Sequence, residues 1–279
     1  FGMGEFTRFG LGFEYPHDWP GRCSVYEVSL LSASLNPSLA WKATDKLSLA
    51  AGVEIMYVTL DLKKRAKTPV AAIPGASFEV DSNIQNADDV GLGFNLAAHY
   101  QFNDQWAFGI QYRSKVRVHA HGDVAFTYLG STGVPPQFEG VVQQGYNNTF
   151  RDGGADSTVI LPDSISAGIA WSPTPELSIE AGAVWTRWST FRSLNIHLPY
   201  DLPTSESRKH WKDVWRFNVG VEYDALDWLT LRAGYVFDQS PMTERYEDYL
   251  VPTDDRHIYS FGVGFKWEAW TLDLSYAYI

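Results

Sequence analysis

The sequence predicts an all-β fold, a transmembrane antiparallel up-and-down β-barrel, with residues 1–279 as its single domain. Three observations predict it. Ten stretches alternate large apolar residues with small or polar ones at period two. Their connections alternate between tight turns and long polar loops. Tryptophans gather near the strand ends.

The strands are expected near 24–41, 47–62, 90–102, 106–120, 162–172, 177–196, 214–224, 228–238, 257–267 and 270–279. In 106–120 one face reads Trp106, Phe108, Ile110, Tyr112, Val116 and Val118; the other reads Gly109, Gln111, Arg113, Lys115, Arg117 and His119. Leu49, Val53 and Ile55 alternate with Gly52 and Glu54, and Trp270, Leu272 and Leu274 with Thr271 and Asp273. Short connections such as Asn103-Asp104-Gln105 and Ala225-Leu226-Asp227 carry turn formers. The long ones, roughly 63–89, 121–161, 197–213 and 239–256, are rich in Gly, Pro, Asp and Ser. The short turns are expected to face the periplasm and the long loops the outside.

Trp41, Trp106, Trp171, Trp228, Trp267 and Trp270 lie near short turns, and Trp185, Trp188, Trp211 and Trp215 near long loops. Two bands of indole are what rings at two membrane–water boundaries produce. A soluble barrel or sandwich with its apolar face inward is the rival architecture. Periodicity does not say which face is inside, so the strand count and the tryptophan bands favour the membrane barrel.

Composition sets the outer limits. The mean hydropathy is −0.21, and no uncharged apolar run approaches the ~18–20 residues a membrane helix needs. Aromatic residues make up 15% of the chain. The net charge of −11, with no basic stripe read in the sequence, argues against nucleic acid. A lone cysteine, Cys23, excludes an intramolecular disulfide. The chain opens Phe1-Gly2-Met3-Gly4 without a signal segment and ends at Tyr278-Ile279 within a strand pattern, so it is expected to be a fragment.

Several stretches, in order, carry a resemblance. They include Phe9-Gly10-Leu11-Gly12-Phe13-Glu14-Tyr15-Pro16, Leu35-Asn36-Pro37-Ser38-Leu39-Ala40, Tyr112-Arg113-Ser114 and Leu161-Pro162-Asp163-Ser164. Trp185-Thr186-Arg187-Trp188-Ser189-Thr190-Phe191, Trp211-Lys212-Asp213-Val214-Trp215-Arg216 and Phe237-Asp238-Gln239-Ser240-Pro241 follow. Together they resemble the FadL family of outer-membrane transporters for long-chain fatty acids and other hydrophobic compounds.

The resemblance implies a barrel of fourteen strands plugged by an N-terminal hatch, gating through that hatch and a kink in the third strand. The ten strands would match the fourth to the thirteenth; the hatch, the first three strands and the last would be absent. It also places two pocket-lining cations on Lys64 and Lys212, which could equally be solvated lysines at loop roots. Arg216 is expected on the polar face, pairing with Glu222, Asp238 or Asp273. The family's initial binding groove would fall between loops 63–89 and 121–161, on apolar residues including Phe78 and Phe138. Those residues could instead only pack the loops onto the barrel mouth.

Other constellations are thin. His119-Ala120-His121 could offer two imidazoles on one face, and Asp254-Asp255-Arg256-His257 has acid–base atoms. The cluster Arg151-Asp152-Gly153-Gly154-Ala155-Asp156 lacks EF-hand spacing. No catalytic residue, metal or cofactor is expected. The expected function is passive uptake of long-chain fatty acids or related hydrophobic compounds. Uptake of aromatic hydrocarbons on the same scaffold is one alternative, and an outer-membrane enzyme or a structural barrel is another. The expected partners are a hydrophobic small molecule, the lipid bilayer and lipopolysaccharide, without nucleic acid, for a monomer in the bacterial outer membrane.

Overall fold

The structure, a computed structural model, describes residues 1–246 and 249–279. Its strands join one antiparallel sheet. In chain order they are β1 (Gly2–Phe6), β2 (Gly10–Glu14), β3 (Glu27–Lys42), β4 (Leu47–Pro69), β5 (Ser77–Gln101), β6 (Trp106–Arg113), β7 (Val116–Thr132) and β8 (Gly153–Leu161). Then come β9 (Ser164–Thr174), β10 (Leu177–Thr186), β11 (Ser193–His197), β12 (Ser205–Arg208), β13 (Val214–Leu226), β14 (Leu229–Asp238), β15 (Arg256–Trp267) and β16 (Trp270–Tyr278). One helix, α1 (Glu139–Thr149), lies between β7 and β8.

Many segments are halves of one wall strand. β1 and β2 both pair with β3, and β6 and β7 both pair with β5. The pairs β8/β9, β10/β11 and β12/β13 continue across the wall in the same way. Sixteen segments joined at five interruptions give eleven wall strands, each next to its sequence neighbour. This corrects the expected ten. The added one, β1/β2, stands where a strand was expected to be missing, and Thr7-Arg8-Phe9 interrupts it. Across that break Phe6 packs against Arg113 while Leu11 and Phe13 pack into the interior, so its large residues keep no single parity. The sheet ends at β1/β2 on one side and β16 on the other, and these two edges do not pair.

Burial decides which face is inside. On β4, Leu49, Val53, Ile55 and Tyr57 are exposed while Glu54, Met56, Val58, Leu60 and Leu62 are buried. The apolar belt therefore faces outward and the charged positions face the lumen, as a lipid-facing barrel wall requires. Beyond Tyr57 the outward positions become Thr59, Asp61, Lys63 and Arg65, which marks the end of the belt. That polarity is why 63–89 reads as a loop. Strands β4 and β5 in fact continue through most of it, leaving only 70–76 as connection. Likewise 121–161 is largely strand and helix.

One register event corrects the face assigned to 106–120. Ile110 is exposed on the belt, and Arg113 turns inward. Ser114 and Lys115 then add a residue outside the regular ladder, and Val116 and Val118 are buried in the interior. A bulge of this kind reverses every side chain beyond it. Lys115, Arg117, His119 and His121 thus face outward, opposite to the side on which Arg113 stands.

The tryptophan bands are half retained. Trp41, Trp171, Trp228, Trp267 and Trp270 are exposed near the short turns, and Trp106 stacks on Trp171 at 5.3 Å. At the other end Trp215 is exposed, but Trp188 and Trp211 turn inward and meet at 4.9 Å.

Candidate functional site

The lumen has a polar floor beneath an apolar chamber. On the floor the Glu54 side chain, 0% exposed, accepts Ser34 Oγ at 3.0 Å and Arg8 Nη1 at 3.1 Å, with Arg113 at 3.9 Å. Arg8, on the break between β1 and β2, also donates to the carbonyls of Ser114 at 3.1 Å and Pro162 at 2.7 Å. Two guanidiniums around one carboxylate satisfy a charge that could not otherwise stay out of water. Nearby, Asn95 Nδ2 donates to Asn36 Oδ1 at 2.7 Å, and Arg187 Nε to Asp163 Oδ1 at 2.8 Å.

Above the floor, inward positions turn aliphatic. Met56, Val58, Leu60 and Leu62 of β4 meet Ile84 of β5, Val116 and Val118 of β7, Val159 of β8 and Ile196 of β11 in one continuous cluster. Phe9 reaches it from the break at Arg8. Phe9 also stands 5.8 Å from Trp188, which with Phe191 and Trp211 forms an aromatic group. The Trp211 indole N–H is buried there with no hydrogen-bond partner among the described residues. The site is therefore a greasy interior bounded by charge, suited to an apolar molecule with one polar end.

The expected site residues part company. Lys64 lies on the inward face of β4, beyond the belt, and its ammonium donates to Ser205 Oγ at 2.6 Å. Burial lowers its pKa from the ordinary 10.5. Lys212 is exposed on the 209–213 connection, and no bond joins its side chain to Lys64. The lysine the fold buries in that connection is Lys209, at 0% exposure, with its backbone N–H on the Arg192 carbonyl at 2.7 Å. Sequence reasoning missed it, because the run Arg208-Lys209-His210 reads as solvated loop.

Arg216 faces the lumen but forms no ion pair with a described residue. The carboxylates expected to hold it belong to others: Glu222 and Asp273 to Arg232, at 2.5 and 2.6 Å, and Asp238 to Arg256 at 2.7 Å. Phe78 is 9% exposed inside a second cluster with Val80, Val142 and Tyr146, whereas Phe138 is 47% exposed beside α1. Loops 63–89 and 121–161 do pack together, with Phe78 within the joint and Phe138 outside it. His119 Nδ1 lies 2.9 Å from Thr158 Oγ1, and no cluster of three metal-ligating side chains occurs among the described residues.

Residues 1–279 match the model of a family described as outer membrane protein transport protein (OMPP1/FadL/TodX). The chain is 26% identical to outer membrane protein P1 of Haemophilus influenzae over all of itself and 62% of that protein. It is 23% identical to the long-chain fatty acid transport protein of Salmonella typhi, over 92% of itself and 60% of that protein. The chain thus spans about three-fifths of the length of these relatives. Among solved structures it is similar to a Pseudomonas aeruginosa FadL homologue (TM-score 0.84, 22% identity, 99% of this chain and 65% of that one). It is also similar to the Ralstonia pickettii toluene transporter TbuX (TM-score 0.71, 19% identity, 99% and 71%). These likenesses fix a shared barrel fold, and with the match along the whole chain they show that it belongs to the OMPP1/FadL/TodX family of outer membrane transport proteins.

Proposed function

We propose that the chain forms the wall of a bacterial outer-membrane channel for passive uptake of long-chain fatty acids or related hydrophobic compounds. The observation that carries this reading is the apolar chamber with a partly desolvated cation, Lys64, at its outer end. An acyl chain gains by leaving water for the aliphatic cluster. Its carboxylate gains most from a partly buried ammonium whose hydrogen bond among the described residues goes to a serine hydroxyl. A relative named as a long-chain fatty acid transport protein agrees with it. Lys212, Arg216, Phe78 and Phe138 serve in this reading as outer contacts along the entry route. The protein works as a monomer within the bilayer and carries out no covalent chemistry.

Uptake of an aromatic hydrocarbon is the second reading. The aromatic group of Phe9, Trp188, Phe191 and Trp211 offers ring faces without a cation, and a structural neighbour is named as a toluene transporter. Oleate and toluene binding and uptake, measured on the protein and on its Lys64→Ala and Lys212→Ala variants, separate the readings. Loss of oleate binding in Lys64→Ala with toluene unaffected is the expected result. If both variants bind oleate like the parent while toluene still enters, the fatty-acid reading fails.

A further inference from the structure

The bulge at Ser114-Lys115 does more than turn Val116 and Val118 inward. It turns Lys115, Arg117, His119 and His121 outward at alternate positions of one strand, and all four are exposed. Several cations elsewhere have carboxylates: Arg8 and Arg113 share Glu54, Arg22 and Arg65 share Glu79, Lys63 has Glu27 and Arg232 has Glu222 and Asp273. Lys115 and Arg117 form no ion pair with a described residue. In a chain of net charge −11 these two are an uncompensated positive patch.

Their surroundings say what kind of anion fits. The β5–β6 ladder ends at Asn95↔Arg113 and the β5–β7 ladder begins at Asp88↔His121. Lys115, Arg117 and His119 therefore lie across from residues 89–94. The outward side chains of that stretch, Val90, Leu92 and Phe94, are 51%, 68% and 47% exposed on the belt. On the other side Arg117 pairs in register with Ile160. The acidic groups collect at the far end: His121 pairs with Asp156 and Asp88, and Asp89 Oδ2 accepts the His119 backbone N–H at 2.9 Å. The cationic end thus adjoins lipid-facing apolar surface, and the acids lie away from it. A ligand that uses both must be amphiphilic, with acyl chains along Leu92 and Phe94 and a negative head within reach of two long, snorkelling side chains.

We propose that Lys115 and Arg117, with His119 at the rim, hold the phosphates of a phosphorylated outer-leaflet lipid against the outside of the wall. The guanidinium of Arg117 suits a phosphate bidentately, and Lys115 adds a mobile point charge. Nothing in this depends on what the lumen carries.

Native mass spectrometry of the detergent-solubilised protein with bis-phosphorylated lipid A tests the site. The protein retains lipid A, and the Lys115→Ala/Arg117→Ala variant retains about tenfold less or lower still, from two lost charges near the headgroup. Phosphatidylcholine at equal dose is not retained, and millimolar inorganic phosphate does not displace the lipid. The milder Lys115→Gln/Arg117→Gln variant covers the case where the alanine pair fails to fold, and Lys115→Arg/Arg117→Lys keeps retention. Lys63→Ala/Lys67→Ala, in the other outward basic run, leaves it unchanged. Equal retention by the folded alanine or glutamine variant, an equal loss in the Lys63/Lys67 control, or complete displacement by free phosphate would each overturn the proposal.

Discussion

Glu54 and Arg8, forty-six residues apart, meet at 3.1 Å in a site where the carboxylate has no exposure at all. That contact ties the interrupted first strand to the third and, through Ser114 and Pro162, to the two strand breaks across the lumen. It anchors the floor on which the apolar chamber rests.

Replacing Glu54 with Ala leaves Arg8 and Arg113 facing one another without their shared counter-ion. The expected cost is about 3–5 kcal/mol, as for breaking one side of a buried pair. Urea unfolding from detergent reads it directly, and Arg8→Met/Glu54→Met should lose clearly less than Glu54→Ala. An equal loss would mean that the pair is not the cause.

In the role proposed for Lys64, head-group binding depends on pH. Burial lowers its folded pKa below the ordinary 10.5, so between those two values the unfolded chain binds a proton that the folded one releases. Stability therefore rises with pH through that window, while binding of a carboxylate, which needs the ammonium, falls. Oleate titrations across alkaline pH should show the decline starting earlier than for a free lysine. Lys64→Arg should abolish the decline, since guanidinium keeps its charge.

At Gly91 a side chain has no room. A Cβ there would stand 2.3 Å from Val116 Cγ1 and 2.8 Å from the Arg117 carbonyl. Gly91→Ala should cost about 1–3 kcal/mol through overpacking and forced backbone movement. Gly109→Ala, on the same wall with open space around it, should cost under about 1 kcal/mol. Comparable unfolding midpoints for the two variants would contradict the close approach of β7 to β5.

Deleting Lys115 removes the odd residue of the bulge. Val116 and Val118 would then be asked to face outward and Arg117 inward, against everything packed on them. The deletion should abolish recovery of a folded, heat-modifiable barrel on gels, whereas Lys115→Ala should fold like the parent. A folded deletion variant would show that the register can slip.

The site was only partly legible in the sequence. Lys64 could be named because the resemblance pointed to it, and the structure puts it on the inward face with a lowered pKa. Lys212 could not be told from Lys209, three residues away in the same polar run, because burial there is set by how the connection folds back, with the Lys209 N–H on the Arg192 carbonyl. Arg216 lost its expected carboxylates to Arg232 and Arg256, a choice made by cross-strand register.

What the sequence by itself determined was the period-two alternation, the order of turns and loops, and therefore an up-and-down wall of strands. These are local properties, since each strand's pattern and each turn's residues act over a few positions. Only the tertiary structure decided which face is the lumen, where the bulge at Ser114-Lys115 reverses it, and that Gly2–Glu14 is a strand broken at Arg8. Those outcomes depend on partners tens of residues away: the Glu54 carboxylate that draws Arg8 inward, and the inner face of Gly91 that receives Val116. Period two is the same whichever way a strand faces, so a reversal of face leaves no local trace until the neighbouring strands are in place.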